Sequence, residues 1–295
     1  MGRNAGKETM LTQNQIDSYN ENGYLAVENV LSSDELESLC TVTDDYVEQS
    51  RKITESDDIF DLEPGHTAVS PKLRRIKKPA SHHPLYDATM RHAGSLDIIS
   101  QLIGPDIRAI GAKLNMKSGE YGSPVEWHQD WAFFPHTNNN VLAIGICLDD
   151  MTEANGCLMV MPGSHKGRIL DHHQDGYFVG AVTETDFDDT AAAKIEVPAG
   201  GMSIHHGRAL HGSLPNLSSQ SRRLLLFTYA ASDAWPIMGT QWDAYSQTLV
   251  RGDLTNEPRV ESVPVRLPLP SPPKGGSIYE TQTLLHRSTF RQAPA

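Results

Sequence analysis

The sequence predicts a mainly β fold, with a double-stranded β-helix (jelly roll) as its core and α-helices flanking it at the N-terminus. From residue 107 onward the chain contains many short apolar runs separated by turn signals, which is typical of a double-sheet β architecture. Before residue 104 the apolar residues follow helical spacing instead. A length of 295 residues is common for one all-β domain, so we predict a single domain over residues 1–295.

Three helices are predicted in the first third of the chain. Residues 11–22 form the first, and a strand follows over residues 23–27. Ser32 and Glu35 have the spacing of a capping box with Ser32 as the N-cap, and apolar spacing continues the helix that they open through Tyr46. Residues 84–103 are predicted to form a third helix, which ends before Gly104 and Pro105.

Two other segments are predicted to lack regular structure. Residues 52–82 are charged and irregular, and we expect them to form a loop that covers one end of the domain as a lid. Residues 263–295 begin with a Pro-rich stretch, and we expect them to wrap around the surface rather than to form a second domain.

The jelly-roll core is predicted from a series of short strands. Val141 to Leu148 is an almost continuous apolar run, as in a buried strand of a sandwich, and the run at 158–161 stops at the turn signal Pro162-Gly163-Ser164. The predicted strands are 107–116, 141–148, 158–161, 193–197, 202–206 and 222–230.

The composition and net charge exclude some classes of binding partner. The net charge is −12 with scattered basic residues, which argues against a nucleic-acid or anionic-membrane surface. No apolar run of about 18 residues is present, so we expect no membrane span. The three cysteines lack metal-type spacing, and they indicate reduced thiols in a cytoplasmic protein. We expect a small-molecule substrate, and the oligomeric state stays open.

The stretch Trp127-His128-Gln129-Asp130 carries the clearest chemical signal. His128 and Asp130 are two residues apart, so on a β-strand both side chains would leave the same face. His211, far downstream, would complete a set of two histidines and one carboxylate. Such a set holds one face of an octahedral Fe(II) and leaves three positions open for substrate or oxygen chemistry.

An iron site of this type needs a cosubstrate that delivers electrons. 2-Oxoglutarate does so by chelating the iron through its C1 carboxylate and C2 ketone, and its C5 carboxylate then needs a cation. Arg222, eleven residues after His211, is suited to that carboxylate because its planar guanidinium binds carboxylates bidentately. The choice between Arg222 and Arg223 depends on the phase of the strand. Ser213, on the same strand face as His211, adds a hydroxyl.

Several motifs in order give the chain a family resemblance. The segments Trp127-His128-Gln129-Asp130, Asn155-Gly156-Cys157-Leu158 and Pro162-Gly163-Ser164-His165, followed by His211-Gly212-Ser213 and Arg222, resemble the phytanoyl-CoA dioxygenase family over roughly residues 15–235. This family consists of Fe(II)- and 2-oxoglutarate-dependent oxygenases and includes ectoine hydroxylases.

The resemblance implies roles for individual residues. It places the iron ligands at His128, Asp130 and His211, and the arginine for the C5 carboxylate at Arg222. Asn115 matches an Asn that contacts the cosubstrate in ectoine hydroxylases. Other candidates for cosubstrate contact are Lys113 and Gln129. Where the acyl-CoA enzymes place a Trp in the pocket, we expect this chain to have Ile146.

The resemblance also implies hydroxylation of an unactivated C–H bond with O₂, releasing succinate and CO₂. Asp130 argues against halogenation, because halogenases need a small residue there to admit chloride. The substrate stays open among acyl-CoA thioesters, amino acids, and the alkaloids and terpenoids of secondary metabolism.

Two alternative functions are a catalytically silent metal-binding or sensor protein and a cupin-type isomerase or hydrolase. We expect His205 and His206 to lie outside the ligand set, and Trp131, Phe133, Phe134 and Trp235 either to line a substrate pocket or to form core.

Overall fold

The computed structural model describes residues 10–120, 122–184, 188–268, 270 and 278–290. Its N-terminal part begins with α1 (Gln13–Asn22), β1 (Tyr24–Val27) and α2 (Ser33–Ser50). The capping box predicted for α2 is present, since the Ser32 hydroxyl accepts from the Glu35 N–H at 3.3 Å and the Glu35 carboxylate accepts from the Ser32 N–H at 2.8 Å. These pairs satisfy N–H groups that the first helical turn leaves free.

The single helix predicted over residues 84–103 is instead two helices. They are α4 (Pro84–Met90) and α5 (Ala93–Ile103), and the short α3 (Pro79–His82) precedes them. The break has a local cause, because the His92 side chain accepts a hydrogen bond from the Ser95 N–H at 3.2 Å and so starts a new helix as its N-cap. Gly104 follows the last residue of α5, as predicted.

The prediction of irregular structure over residues 52–82 is wrong at three places, since α3 and two strands lie within this segment. Strands β2 (Phe60–Leu62) and β3 (Leu73–Lys77) pair with each other, and β3 also pairs with the strand that begins at Ile107. The charges that suggested a loop are accommodated in pairs: Lys77 lies 2.8 Å from the buried Asp61, and Arg74 pairs with the buried Glu63. A lid role for the rest of this segment stays a prediction.

The remaining strands and helices of the described chain follow from residue 107. They are β4 (Ile107–Lys117), β5 (Val125–His128), β6 (Val141–Cys147), β7 (Leu158–Val160), β8 (His173–Gln174), β9 (Tyr177–Phe178), β10 (Ala193–Ile195), β11 (Met202–His206), β12 (His211–Ser213), β13 (Arg222–Ala231), α6 (Trp242–Ser246), β14 (Leu249–Arg251) and α7 (Ile278–Thr281). The six strands predicted for the core are therefore present, with small differences at their ends.

Two antiparallel sheets built from the described strands form the jelly-roll core, which confirms the predicted fold class. The larger has the order β1-β11-β6-β13-β4-β3-β2, with β14 also paired to β4, and the smaller has the order β10-β7-β12-β5. Strands β8 and β9 form a separate pair. None of the helices in the described part of the chain combines the length and apolar character that a membrane span requires.

Side chains on the larger sheet alternate between two cores. On β13, Leu225 and Phe227 pack with apolar residues of α2 and α5, whereas Leu224 and Leu226 pack with residues of the smaller sheet. The helices therefore cover the outer face of the larger sheet. Its inner face turns toward the smaller sheet, and the cavity described below lies between the two.

The described part of the C-terminal segment lies across one end of this cavity. Ile278 and Tyr279 of α7 line the cavity, and Phe290 packs on Trp127 with ring centroids 5.6 Å apart. Much of the Pro-rich stretch of the predicted surface wrap, namely residues 269 and 271–277, lies outside the described residues.

Candidate metal centre and active site

The predicted iron ligands converge at the inner face of the smaller sheet. His128 is the last residue of β5, and His211 lies directly opposite it on β12. Asp130 is not on the strand, as the two-residue spacing had suggested, but begins a 3-10 helix (Asp130–Ala132) that follows it. One potential ligand atom from each of the three residues lies within 4.8 Å of the other two, so the three side chains surround one point.

Backbone hydrogen bonds prepare both histidines for metal binding. Nδ1 of His128 lies 2.8 Å from the carbonyl oxygen of Glu126, and Nδ1 of His211 lies 2.9 Å from that of Ala209. A carbonyl can only accept, so in each ring Nδ1 carries the hydrogen and Nε2 keeps its lone pair. This is the orientation that a second hydrogen bond imposes on metal-ligating histidines.

The protonation states of the three groups also suit a metal. Burial lowers the pKa of His128 to about 4 and that of His211 well below its usual range, so both rings are neutral at pH 7. Burial would raise the pKa of Asp130, but a hydrogen bond from His205 and the charges of neighbours outweigh it and hold that pKa well below its usual range. Two neutral imidazoles and one carboxylate form the donor set of non-haem Fe(II) oxygenases.

His205 supports this set from outside it, as expected. Its Nε2 lies 3.3 Å from Oδ2 of Asp130, and its ring centroid lies 4.2 Å from that of His211. The hydrogen bond leaves Oδ1 of Asp130 directed toward His128, at 3.9 Å from Nε2 of that ring. His205 is therefore placed to orient the carboxylate.

The wall of the cavity opposite the histidines is cationic. Lys113, Asn115 and Lys117 alternate along β4, so all three side chains point inward, and Arg222 lies opposite Lys117 on β13. The space between the walls is about 580 Å³, including the part open to solvent. Burial lowers the pKa of both lysines, and that of Lys117 falls well below its usual range.

The structure separates Arg222 from Arg223. Arg222 is 3% exposed and lines the cavity, where one Nη donates to the Gly156 carbonyl at 3.0 Å and Nε has no hydrogen-bond partner among the described residues. Arg223 points to the other face of β13 and is bound to Asp149 at 2.7 Å and Asp44 at 2.6 Å. Of the two, Arg222 alone is placed to meet a ligand in the cavity.

The other predicted cosubstrate contacts divide into two groups. Ser213, Asn115 and Lys113 line the cavity together with the histidines. Gln129 does not, because its side chain donates to the carbonyls of Arg208 and Arg168 and accepts from the N–H of Leu170. The Gln129 side chain therefore points away from the cavity that His128 and Asp130 line, and it fixes loops rather than a ligand.

The expectation that Ile146 faces the pocket is wrong. Ile146 is fully buried among the apolar residues on the helical side of β6, and Ala143 lines the cavity instead. Gly145 shares the inward face with Ala143, and a Cβ there would come within 2.8 Å of the Ser203 hydroxyl and 2.9 Å of Leu224. The aromatic residues Trp131, Phe133, Phe134 and Trp235 do not line the cavity; the first three belong to a core cluster and Trp235 stacks on Tyr245 at 4.2 Å.

Sequence reasoning missed two residues of the site. Lys117 could have been found, because it continues the inward alternation of Lys113 and Asn115 along one strand. Tyr279 could not, because it reaches the cavity from the C-terminal segment and no motif marks it. Its hydroxyl is buried and has no hydrogen-bond partner among the described residues.

Comparison with known proteins agrees with this geometry. The family model described as phytanoyl-CoA dioxygenase matches residues 19–224. The chain belongs to the phytanoyl-CoA dioxygenase family. A relative from Stutzerimonas stutzeri, named "Probable alpha-ketoglutarate-dependent hypophosphite dioxygenase", is 34% identical over 279 residues, which cover 92% of this chain and 97% of the relative. An ectoine dioxygenase from Bordetella parapertussis is 26% identical over 241 residues, covering 74% of this chain and 75% of the relative.

Solved structures share the fold. EctD from S. alaskensis with bound Fe has a TM-score of 0.64 at 21% identity, covering 88% of this chain and 90% of that one. The carbocyclase SnoK from nogalamycin biosynthesis has a TM-score of 0.60 at 21% identity, with coverages of 86% and 94%. The family match and the triad together make this protein an Fe(II)- and 2-oxoglutarate-dependent dioxygenase that acts on a small molecule with O₂. The catalytically silent alternative has no support among these relatives.

Proposed function

We propose that the enzyme is a hydroxylase that inserts one oxygen atom of O₂ into its substrate, with iron held by His128, Asp130 and His211. When bound, Fe(II) and 2-oxoglutarate supply the O₂ activation that oxidises the substrate, with succinate and CO₂ as coproducts. The observation that carries the proposal is the buried, hydrogen-bonded carboxylate of Asp130 beside two neutral histidines. This carboxylate fills the position that a halogenase keeps free for chloride.

The cationic wall has a complementary role in this proposal. Arg222 binds the distal carboxylate of 2-oxoglutarate, for which its unpartnered Nε and its burial make it suitable. The hydroxyl of Ser213 and the amide of Asn115, both on the cavity surface, add hydrogen bonds. Lys117 stays beside Arg222, where its Nζ donates to the carbonyls of Leu214 and Ser213 and is fixed by them.

The remaining lining excludes water. Leu158, Leu224 and Leu226 surround the polar groups, and Ile278 of the C-terminal segment closes one side. In a dry cavity the charged contacts to the cosubstrate are stronger than in water. We also propose a cytoplasmic location, which the unpaired thiols of Cys40, Cys147 and Cys157 support.

A second candidate reaction follows from the relative in S. stutzeri, which is named for hypophosphite and matches this chain over nearly its whole length. Hydroxylation there converts one P–H bond of hypophosphite into P–OH and gives phosphite. The oxygen inserted comes from O₂, and the second oxygen atom enters succinate as 2-oxoglutarate loses CO₂. The reaction class is the same as for C–H hydroxylation, but the oxidised bond differs.

The test is turnover with ¹⁸O₂ and two separate probes, hypophosphite and ectoine, for which the two reported relatives are named. We expect one probe to stimulate succinate formation and to yield a product with one ¹⁸O atom, as read by mass spectrometry, and an excess of chloride to leave that product unchlorinated. Asp130→Ala serves as the inactive control. A product without oxygen from O₂ would contradict hydroxylation, and a chlorinated product would show that Asp130 is not a ligand.

A further inference from the structure

We propose that the primary substrate is a small anion, and that Lys113 binds its charged group. This inference rests on the proposed function, since it concerns the same cavity. It assigns a substrate class and one substrate contact.

The charges that line the cavity are out of balance. Two cationic side chains, Lys113 and Arg222, line the cavity. Lys117 also lines it, but the balance holds without this residue, whose pKa burial and the charge of Arg222 lower well below the usual range. The anionic residue that lines it with them is Asp130. A bound Fe(II) adds two positive charges, and 2-oxoglutarate adds only two negative ones. Positive charge therefore remains in a largely apolar cavity, where an unpaired charge is costly. A second anion would remove this cost.

The position of Lys113 shows where that anion would bind. Lys113 and Lys117 are four residues apart on β4, which is about 13 Å along a strand. Arg222 pairs with Lys117 in the strand register, whereas Lys113 pairs with Leu226. Lys113 and Arg222 therefore stand at opposite ends of the cavity. An anion at Arg222 leaves Lys113 available for a different one.

Lys113 is also at the reacting end. Among the charged groups around Lys113, Asp130 acts on it most strongly. No hydrogen bond joins its ammonium to another side chain or carbonyl in the described part of the protein, and the side chain is half-buried. An anion bound there would lie beside the iron ligands, where the bond to be oxidised must be.

Tyr279 lies at the other end of the cavity, where it and Arg222 act on each other electrostatically. Its ring lies 5.4 Å from the guanidinium of Arg74 and 5.3 Å from that of Arg75, and these cation–π contacts hold the C-terminal segment over the cavity. The Tyr279 side chain is 6% exposed and its hydroxyl lacks a partner among the described residues. Tyr279 is therefore a polar group of the same cavity that can serve as a control for Lys113.

The limited space restricts the anion to a small one. 2-Oxoglutarate and iron must share the cavity with the substrate. Leu226, the strand partner of Lys113, and Ala143, the strand partner of His205, line the cavity near Lys113. These side chains offer no polar groups for a large headgroup. A compact oxyanion such as hypophosphite fits these requirements, so we use hypophosphite as the probe.

The test measures binding without turnover. The line width of the ³¹P signal of hypophosphite is recorded under anaerobic conditions as the Fe(II)–2-oxoglutarate complex is added, and it gives a dissociation constant. Lys113→Met should raise this constant by about 10-fold or more, as loss of a charge-assisted hydrogen bond does. Tyr279→Phe should leave it nearly unchanged, because that hydroxyl lies at the Arg222 end of the cavity. Lys113→Arg should restore most of the affinity.

Controls separate this inference from the proposed function. The affinity for 2-oxoglutarate, followed by the visible absorption of its Fe(II) chelate, should stay unchanged in the Lys113 variants. Lys52→Met, at an exposed lysine, should leave both affinities as they are. The inference is overturned if the unmodified complex does not bind hypophosphite, if Lys113→Met binds it equally well, or if Lys113→Met loses 2-oxoglutarate instead. Failure of the proposed function would appear differently, as absence of any iron–2-oxoglutarate chelate.

Discussion

The two walls of the cavity are built in different ways. On the smaller sheet, each histidine proposed to bind the metal is held by a carbonyl two residues before it in the chain, as His128 is by Glu126 and His211 by Ala209. On the larger sheet, the cations are brought together by pairing between distant strands, as Lys117 is with Arg222. The first wall is neutral apart from one carboxylate, and the second is positive. Local hydrogen bonds thus prepare the metal ligands, whereas strand register prepares the anion contacts.

The largest effect should come from breaking the metal-binding wall. His128→Ala or Asp130→Ala should abolish detectable succinate formation and lower the iron content, because two remaining ligands do not hold the metal. His286→Ala, at an exposed histidine remote from the cavity, is the matched control. Iron content by metal analysis and succinate by chromatography check this. Succinate at the level of the unmodified protein in either variant would contradict the triad.

Substitutions in the cationic wall should change how tightly the cosubstrate binds. Arg222→Ala should raise the 2-oxoglutarate concentration needed for half-maximal rate by about 30-fold or more, since loss of a buried charge-assisted contact costs about 2–5 kcal/mol. Arg223→Ala should change this concentration little and instead lower stability, because Arg223 binds Asp149 and Asp44 outside the cavity. A larger kinetic effect at Arg223 would reverse the assignment of the two residues.

A smaller effect is expected when the hydrogen bond that orients Asp130 is removed. His205→Ala removes the hydrogen bond to Asp130, and outer contacts of this kind change metal affinity by about 10- to 100-fold. We expect weaker iron binding with retained activity at saturating iron. Equilibrium competition with a chelator measures the affinity. Full loss of activity at saturating iron would mean that His205 has a more direct role.

The mildest effect concerns pH and the iron-free protein. Burial lowers the pKa of His128, His136 and His172 to about 4, below the ordinary value near 6.5. The unfolded chain therefore binds more protons between pH 6.5 and 4, so folded stability falls as the pH falls through that window. The Tm by calorimetry should decline from pH 7 to 4.5, and less steeply in His136→Gln. A Tm independent of pH over this range would contradict the burial of these histidines in their neutral form.

The sequence predicted the metal-binding wall better than the rest, for physical reasons. A short motif together with His211 was enough for the triad, because few residue types ligate Fe(II). The choice of Arg222 over Arg223 depended on which face of the strand each side chain occupies. The alternation of side chains along β13 decides this. Ile146 was placed on the wrong face because a shift of one residue reverses every side chain of a strand.

Segments that depend on distant partners were the hardest to predict. Strands β2 and β3 looked like a loop because their charged residues, among them Asp61 and Glu63, are paired only in the folded chain. Tyr279 depends on a C-terminal segment whose path no local pattern indicates. Both features lie at the cation-rich side of the cavity, where contacts far apart in sequence decide the structure.

The most direct test of this account is a crystal structure grown anaerobically with Fe(II) and 2-oxoglutarate. We expect the metal to bind Nε2 of His128, a carboxylate oxygen of Asp130 and Nε2 of His211, and the distal carboxylate of 2-oxoglutarate to lie on Arg222. Lys113 should stay free for a second ligand. Iron bound by other residues, or the distal carboxylate on Lys113 instead of Arg222, would contradict the division of the cavity into a metal-binding wall and an anion-binding wall.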